Sequence, residues 1–387
     1  MKALKDLFLV DPNITFLNFG SFGACPKPVF DKYQSLQREL ENQPVQFFVK
    51  DGMTLLAEAR KRLGEYINCH ADNVVYVLNP SYAINTIAKS FPMESGDEIL
   101  TTDLEYGALD RTWDYYCKRK GAKYVKQHIT LPVVSKEAFI DAFWKGYTEN
   151  TKAIFISHIT SATGIILPVE EICEEAKKRG LITIVDGAHV PGHIQLNLSQ
   201  LKADIYTGAC HKWMMAPKGS SFLYAVPEQQ HWIDPLLISW GYNSDFPSHS
   251  QYLDYNQTAG TRDYSAFLTV PTCIDFMEEY NWREVSKVNR ELVQSNVSKF
   301  EKLLNTKALA PVTDEFFGQL CSLPIKNDNP AKLHDILLEK YKIEIPVFIE
   351  NGQTYIRYSI QAFNRQEDLY VLADALDDLI KKGMIQL

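Results

Sequence analysis

Two hydrophobic periods alternate along most of the chain. Short continuous apolar runs rich in β-branched residues occur at VVYVL (74–78), EILT (98–101), YVKQ (124–127), AIFIS (153–157), ITIV (182–185), ADIYTG (203–208) and GSSFLYAV (219–226). Between them lie segments in which apolar residues recur every three to four positions. The short runs predict strands. The longer-period segments predict helices at 29–41 and 54–67, after NPSYAINTIAKSF opens at 79, at 136–145, and from Pro168 to the stop at Gly180. Strands alternating with helices of this length predict an α/β fold wound around a parallel sheet.

A second unit follows, with a long amphipathic helix at 282–304, strand QLCSLPI, a helix at 331–341, strands IEIPVF and TYIRYSI, and a helix at 366–381. The expected division is a large domain over 20–275 and a small α/β domain from 1–19 and 276–387. Residues 231–256 are aromatic and Ser-rich with little periodicity, which predicts a functional or interface loop. Repeats and low-complexity tracts are missing from the sequence.

Composition narrows the class. With 387 residues and 40 Lys+Arg against 48 Asp+Glu, the net charge of −8 gives no clustered basic surface for nucleic acid. Seven scattered cysteines (25, 69, 117, 173, 210, 273 and 321), odd in number and without CxxC, argue against a disulfide framework and a structural zinc site. The apolar patch in MKALKDLFLVDP is too short for a signal peptide and no run approaches a membrane span, so a cytoplasmic location is expected. HExxH, GxSxG and Walker patterns are absent, which leaves a metalloprotease, a serine hydrolase and an NTPase without support.

The chemistry concentrates at 182–224, ITIVDGAHVPGHIQLNLSQLKADIYTGACHKWMMAPKGSSFLY. Two predicted strands there are followed by Asp186 and by Lys212 within HKW, so an acid and an amine fall at the edge where open α/β sheets bind ligands. That pair suits a pyridine ring bearing an aldehyde. Asp186 can hold the ring nitrogen protonated, and Lys212 can condense with the aldehyde carbon, as in sites for pyridoxal phosphate. The amino terminus of the helix opening at Asn79–Ser81 is either a seat for the phosphate or an ordinary side-chain cap. Arg357 is a lone basic residue in the apolar strand TYIRYSI; it needs a partner, either an internal salt bridge or the carboxylate of an amino acid.

With the HKW lysine, the LNFGSFG stretch at 17–23, the QTAGTRD stretch and the RYSIQAFN ending, the chain resembles the class V aminotransferase family of fold type I enzymes, in its isopenicillin N epimerase-like branch. The resemblance implies a fold type I PLP-dependent transferase, with a mostly parallel seven-stranded sheet in the large domain and a small C-terminal α/β domain. It implies pyridoxal 5'-phosphate as cofactor, with Lys212 as the catalytic residue. Asp186, His189, His211, Tyr106 and Ser161 would contact the cofactor. Its phosphate would sit at Pro80, Ser81 and Tyr82, although proline removes one N–H donor. Gly260 and Thr261 would reach the phosphate of a neighbouring subunit, which implies a homodimer with shared sites. Arg357, Asn18, Ser21 and Phe22 would meet an amino acid substrate, with no nucleic acid, membrane or metal involved. Epimerisation at Cα is the expected outcome, with transamination or C–S lysis as alternatives and a catalytically silent regulatory protein as the rival of another class. The persulfide route of desulfurases is not expected, because KYKIEIPVFIENGQTY (340–355) carries no cysteine.

Overall fold

The computed structural model describes residues 4–387. Seven strands form one sheet in the order Val74–Val77, Ser221–Ala225, Ile205–Ala209, Ile182–Asp186, Thr151–Ser157, Glu98–Thr102, Lys123–Gln127. All neighbouring pairs are parallel except the two made by Ser221–Ala225, which runs antiparallel to both neighbours. Most of these strands are buried on both faces, which is why they read as continuous apolar runs instead of alternating ones.

Helices cover the sheet by burying one stripe each. Val169–Lys178 buries Val169, Ile172, Cys173 and Ala176, carries Glu170 and Glu171 in its first turn and Lys177 and Lys178 in its last, matching the helix dipole at both ends.

A three-stranded antiparallel sheet, ordered Val347–Glu350, Gln353–Ser359, Leu320–Ile325, forms the C-terminal unit. The Trp282–Leu304 and Gln366–Lys381 helices pack on it and on each other through residues such as Val293, Phe300, Leu369 and Leu376. Near the other end of the chain, Thr15–Phe16 pairs in parallel with Ile343–Glu344. This pairing carries the following loop to the C-terminal unit, where the Gly20 N–H donates to Ser359 Oγ at 3.1 Å.

One expectation needs correction. The 231–256 segment is not wholly irregular, since Gln251–Gln257 is helical and Ser250 caps it by accepting from the Leu253 N–H. Seven residues make two turns, too few to show a period in the sequence. Tyr252 and Leu253 on this helix are buried, and the Tyr252 hydroxyl donates to the Leu223 carbonyl at 2.8 Å.

Candidate active site

Asp186 ends its strand at the carboxyl edge of the sheet, paired in register with Ser157 on one side and Thr207 on the other. It is buried, and its hydrogen bond among the described residues comes from the Ala188 N–H to Oδ1 at 3.0 Å. Burial pushes the carboxyl up to about 6, against the opposing pull of the Ala188 bond and Lys212. A protonated ring nitrogen at Oδ2 would supply the positive partner that the protein itself withholds.

Lys212 lies in the turn that follows Ile205–Ala209 and precedes the antiparallel strand. The turn is closed by Met215 N–H to the Lys212 carbonyl at 3.0 Å and Ala216 N–H to the Cys210 carbonyl at 3.0 Å. Gly23 packs against it with φ +65°; a Cβ there would sit 2.3 Å from the His211 carbonyl oxygen and 2.7 Å from that of Lys212. Only glycine permits this approach, which presses the N-terminal loop onto the lysine turn.

The amine meets His189, Nζ to Nε2 at 3.0 Å, while the Trp213 indole N–H donates to His189 Nδ1 at 3.2 Å. Because Nδ1 accepts, the proton of a neutral ring sits on Nε2, and the contact with Lys212 requires the lysine nitrogen to accept. The contact thus favours the free-amine form of the lysine. Burial brings Lys212 down to about 8, with Asp186 opposing and Arg357 assisting, so the free amine becomes the major form only above about pH 8. Burial likewise keeps His189 neutral, well below the ordinary histidine range. Trp213 was not among the sequence candidates, although it directly follows the lysine in HKW.

The opposite end of the site comes from the small sheet. Arg357 is 6% exposed in the middle of Gln353–Ser359, and no carboxylate pairs with it among the described residues. The internal salt bridge left open by the sequence is thus not made. The guanidinium instead donates to the Ser161 carbonyl and, at 3.0 Å, to Ser21 Oγ, and lies 5.8 Å from the Phe348 ring centroid. Its Nε finds no acceptor among the described residues. Burial lowers the group to about 10. Ser21 in turn donates to Asn18 Oδ1 at 2.5 Å, and Asn18 Nδ2 donates to Glu344 Oε1 at 2.7 Å. Asn18 therefore orients Ser21, and Ser161 meets Arg357 through its backbone. Phe22 stands 70% exposed beside them in sequence.

At the start of the Pro80–Ser90 helix, Asn79 Oδ1 accepts from the Tyr82 N–H at 2.8 Å. The cap and the phosphate seat are compatible only in part: Pro80 has no N–H and the Tyr82 N–H is taken, which leaves the Ser81 N–H and hydroxyl as the donors of the first turn. Tyr106 caps the Gly107–Lys120 helix and is half exposed. His211 Nδ1 lies 3.0 Å from the Ser220 carbonyl, an arrangement that suits an Nδ1–H tautomer with Nε2 left to accept. Gly260 (φ +97°) and Thr261 sit in a surface loop with no hydrogen bond to Lys212, Asp186 or Arg357 among the described residues. A cavity of about 930 Å³ lies apart from this chemistry, between Tyr66, His193, Trp282 and Arg290; Lys212, Asp186 and Arg357 do not line it.

A buried amine of lowered pKa, a buried acid at a strand edge without a salt-bridge partner among the described residues and free donors at a helix start fit pyridoxal phosphate: imine former, ring-nitrogen partner and phosphate seat. Comparison with known proteins agrees. The aminotransferase class-V family model matches residues 23–372. Isopenicillin N epimerase from Amycolatopsis lactamdurans is 32% identical over 391 residues, covering 96% of each chain, and the Streptomyces clavuligerus enzyme of the same name is 31% identical, covering 98% of each. A probable chloroplastic L-cysteine desulfhydrase from Arabidopsis thaliana is 26% identical over 96% of this chain and 84% of its own length. Among solved structures, the apo cysteine desulfurase of Thermococcus onnurineus NA1 superposes with a TM-score of 0.82 at 19% identity, covering 98% of each chain, which establishes the fold. The chain belongs to the aminotransferase class V family, as a fold type I enzyme whose cofactor is pyridoxal 5'-phosphate.

Proposed function

We propose that this enzyme binds a free α-amino acid through Arg357 and epimerises it at Cα, with Lys212 as the base. The observation that carries the reading is the Trp213–His189–Lys212 chain of hydrogen bonds, which favours the free-amine form of a buried lysine whose pKa burial has brought down to about 8. Bound pyridoxal phosphate supplies an electron sink for the bond broken at Cα. Asp186 holds positive charge at the ring nitrogen, and Lys212 removes the proton. Arg357 exchanges Ser21 Oγ and the Ser161 carbonyl for the two oxygens of a carboxylate, a bidentate match that its planar fork favours. Tyr106 would stack on the ring, and the Ser81 donors would hold the phosphate. The isopenicillin N epimerase relatives support return of the proton to the opposite face.

C–S lysis is the second reading, favoured by the cysteine desulfhydrase relative. A protein persulfide is not part of it. The hairpin of Val347–Glu350 and Gln353–Ser359 has no cysteine, and burial pushes the partly exposed Cys25 and Cys69 thiols up to about 12. Incubating the holoenzyme with an amino acid panel in deuterated water separates the readings. Epimerisation gives deuterium at Cα and loss of stereochemical purity without keto acid. Stoichiometric keto acid would move the activity to transamination, and sulfide with pyruvate from cysteine would move it to lysis.

The working unit in this reading is a homodimer. Its support is an exposed apolar segment, with Ile238 66%, Trp240 79% and Phe246 92% exposed, together with the Gly260–Thr261 loop, which makes no hydrogen bond to Lys212, Asp186 or Arg357 among the described residues. Sedimentation of the holoenzyme should show a dimer; a fully active monomer would refute shared sites. No described helix is long and apolar enough to cross a membrane, and the seven cysteines are free, which fits the reducing cytoplasm of this reading.

A further inference from the structure

Glu105 is the residue in the site's surroundings that the proposed chemistry leaves without a role. It is 2% exposed, and no cation pairs with it among the described residues. Three donors converge on its carboxyl: the Ser157 N–H at 2.8 Å and the Ser157 hydroxyl at 2.6 Å on Oε2, and the Thr102 hydroxyl at 2.7 Å on Oε1. Thr102 Oγ1 also accepts from the Leu104 N–H at 3.1 Å, so both sides of the loop that leaves the Glu98–Thr102 strand are tied down.

Those bonds connect two parts of the site. Ser157 is the last residue of its strand and stands in register with Asp186 on the next one. Glu105 immediately precedes Tyr106, whose carbonyl starts the Gly107–Lys120 helix by accepting from the Leu109 and Asp110 N–H groups at 2.8 and 3.1 Å. One buried side chain thus spans from the residue beside the ring-nitrogen acid to the residue before the aromatic ring. An unpaired buried carboxyl is costly to keep, and here it is satisfied entirely by hydrogen bonds.

We propose that Glu105 is a positioning residue that, through Ser157, fixes the height of Tyr106 relative to Asp186 and so sets how Tyr106 stacks on the cofactor. This rests on the reading of Tyr106 as the stacking partner. Burial lifts the Glu105 carboxyl to about 8, opposed by the Ser157 and Thr102 bonds; in the neutral acid the proton lies on Oε1, where Thr102 Oγ1 accepts it in place of donating, and Oε2 still takes both Ser157 donors. Glutamine, which keeps an oxygen for both Ser157 donors, should therefore substitute for it.

The test uses holoenzyme carrying Glu105→Ala, Glu105→Gln, Ser157→Ala or Tyr106→Ala. The readouts are the visible circular dichroism of the bound cofactor, the cofactor dissociation constant by equilibrium dialysis, and thermal unfolding. Glu105→Ala should change the visible dichroism and weaken cofactor binding about tenfold, as expected for loss of well-made buried hydrogen bonds. Glu105→Gln should restore both. Should Glu105→Ala fail to fold, Ser157→Ala removes one of the three donors and should alter the dichroism in the same direction by a smaller amount. Lower thermal stability with unchanged dichroism and affinity, in whichever of these two variants folds, would overturn the proposal. So would a Gln variant as altered as the Ala variant. Tyr106→Ala separates the two readings: unchanged dichroism there refutes the stacking itself, whereas a change there with none in Glu105→Ala refutes only the role of Glu105.

Discussion

The two ends of the site are built in different ways. The cofactor end, Asp186 with Lys212, His189 and Trp213, comes from 28 consecutive positions spanning two adjacent strands and their turns, residues 186–213 of the sequence. The carboxylate end gathers Asn18 and Ser21, Ser161, Glu344 and Arg357 from distant parts of the chain. At the first end each group is fixed by backbone geometry and by a neighbour that sets its protonation. At the second, a buried guanidinium is held by neutral acceptors alone, with one nitrogen unsatisfied. A site whose own partners are weaker than an incoming carboxylate is a site prepared for exchange. In the proposed reading the cofactor end is thus preorganised, and the substrate end is left incomplete.

Removing the amine should break the cofactor end most severely. In Lys212→Ala, the rate of deuterium exchange at Cα should fall by about 10² to 10⁴-fold, the range set by loss of a positioned base. Borohydride reduction followed by peptide mapping should no longer find labelled cofactor on the chain. Label recovered on Lys218 would sink the assignment of Lys212.

The substrate end is the next largest effect. Arg357→Leu should weaken amino acid binding, read by absorbance titration of the holoenzyme, by about 2 to 5 kcal/mol if the pair with the carboxylate is desolvated. Cofactor affinity should change little, because Arg357 makes no contact with Asp186 or the helix start among the described residues. Arg357→Lys should recover little, since it keeps a charge and loses the fork. Equal losses for amino acid and cofactor would erase the distinction between the ends.

The smallest effect sharpens the account of protonation. Trp213→Phe removes the donor to His189 Nδ1, so the imidazole can shift its proton there and accept from a lysine ammonium through Nε2. That favours the charged amine and should raise the Lys212 midpoint above its value of about 8 by about half a unit to one unit. Cofactor attachment needs the neutral amine. Its rate should therefore rise with pH through about 8 in the parent enzyme and through a higher pH in the variant. Coincident profiles would mean that Trp213 does not set the tautomer.

Local chemistry made the strands, the helix starts and the Asp186–Lys212 pair readable from the sequence. A strand buried on both faces must be apolar along its length, and residues at the end of such a run have one place to go. Asp186, Lys212 and the isolated charge of Arg357 stood out for that reason. What the sequence could not decide was set across distance. The tautomer of His189 depends on an indole 24 residues away in the chain, and the neutral partners that Arg357 finds in place of a salt bridge, Ser21 and Ser161, lie 336 and 196 residues away. Glu105 looks like one of many surface acids until folding buries it against Ser157, 52 residues on. Periodicity and motif record what each residue needs from its neighbours in sequence; hydrogen-bond partners and burial, which fix protonation and positioning, exist only once the distant strands have come together.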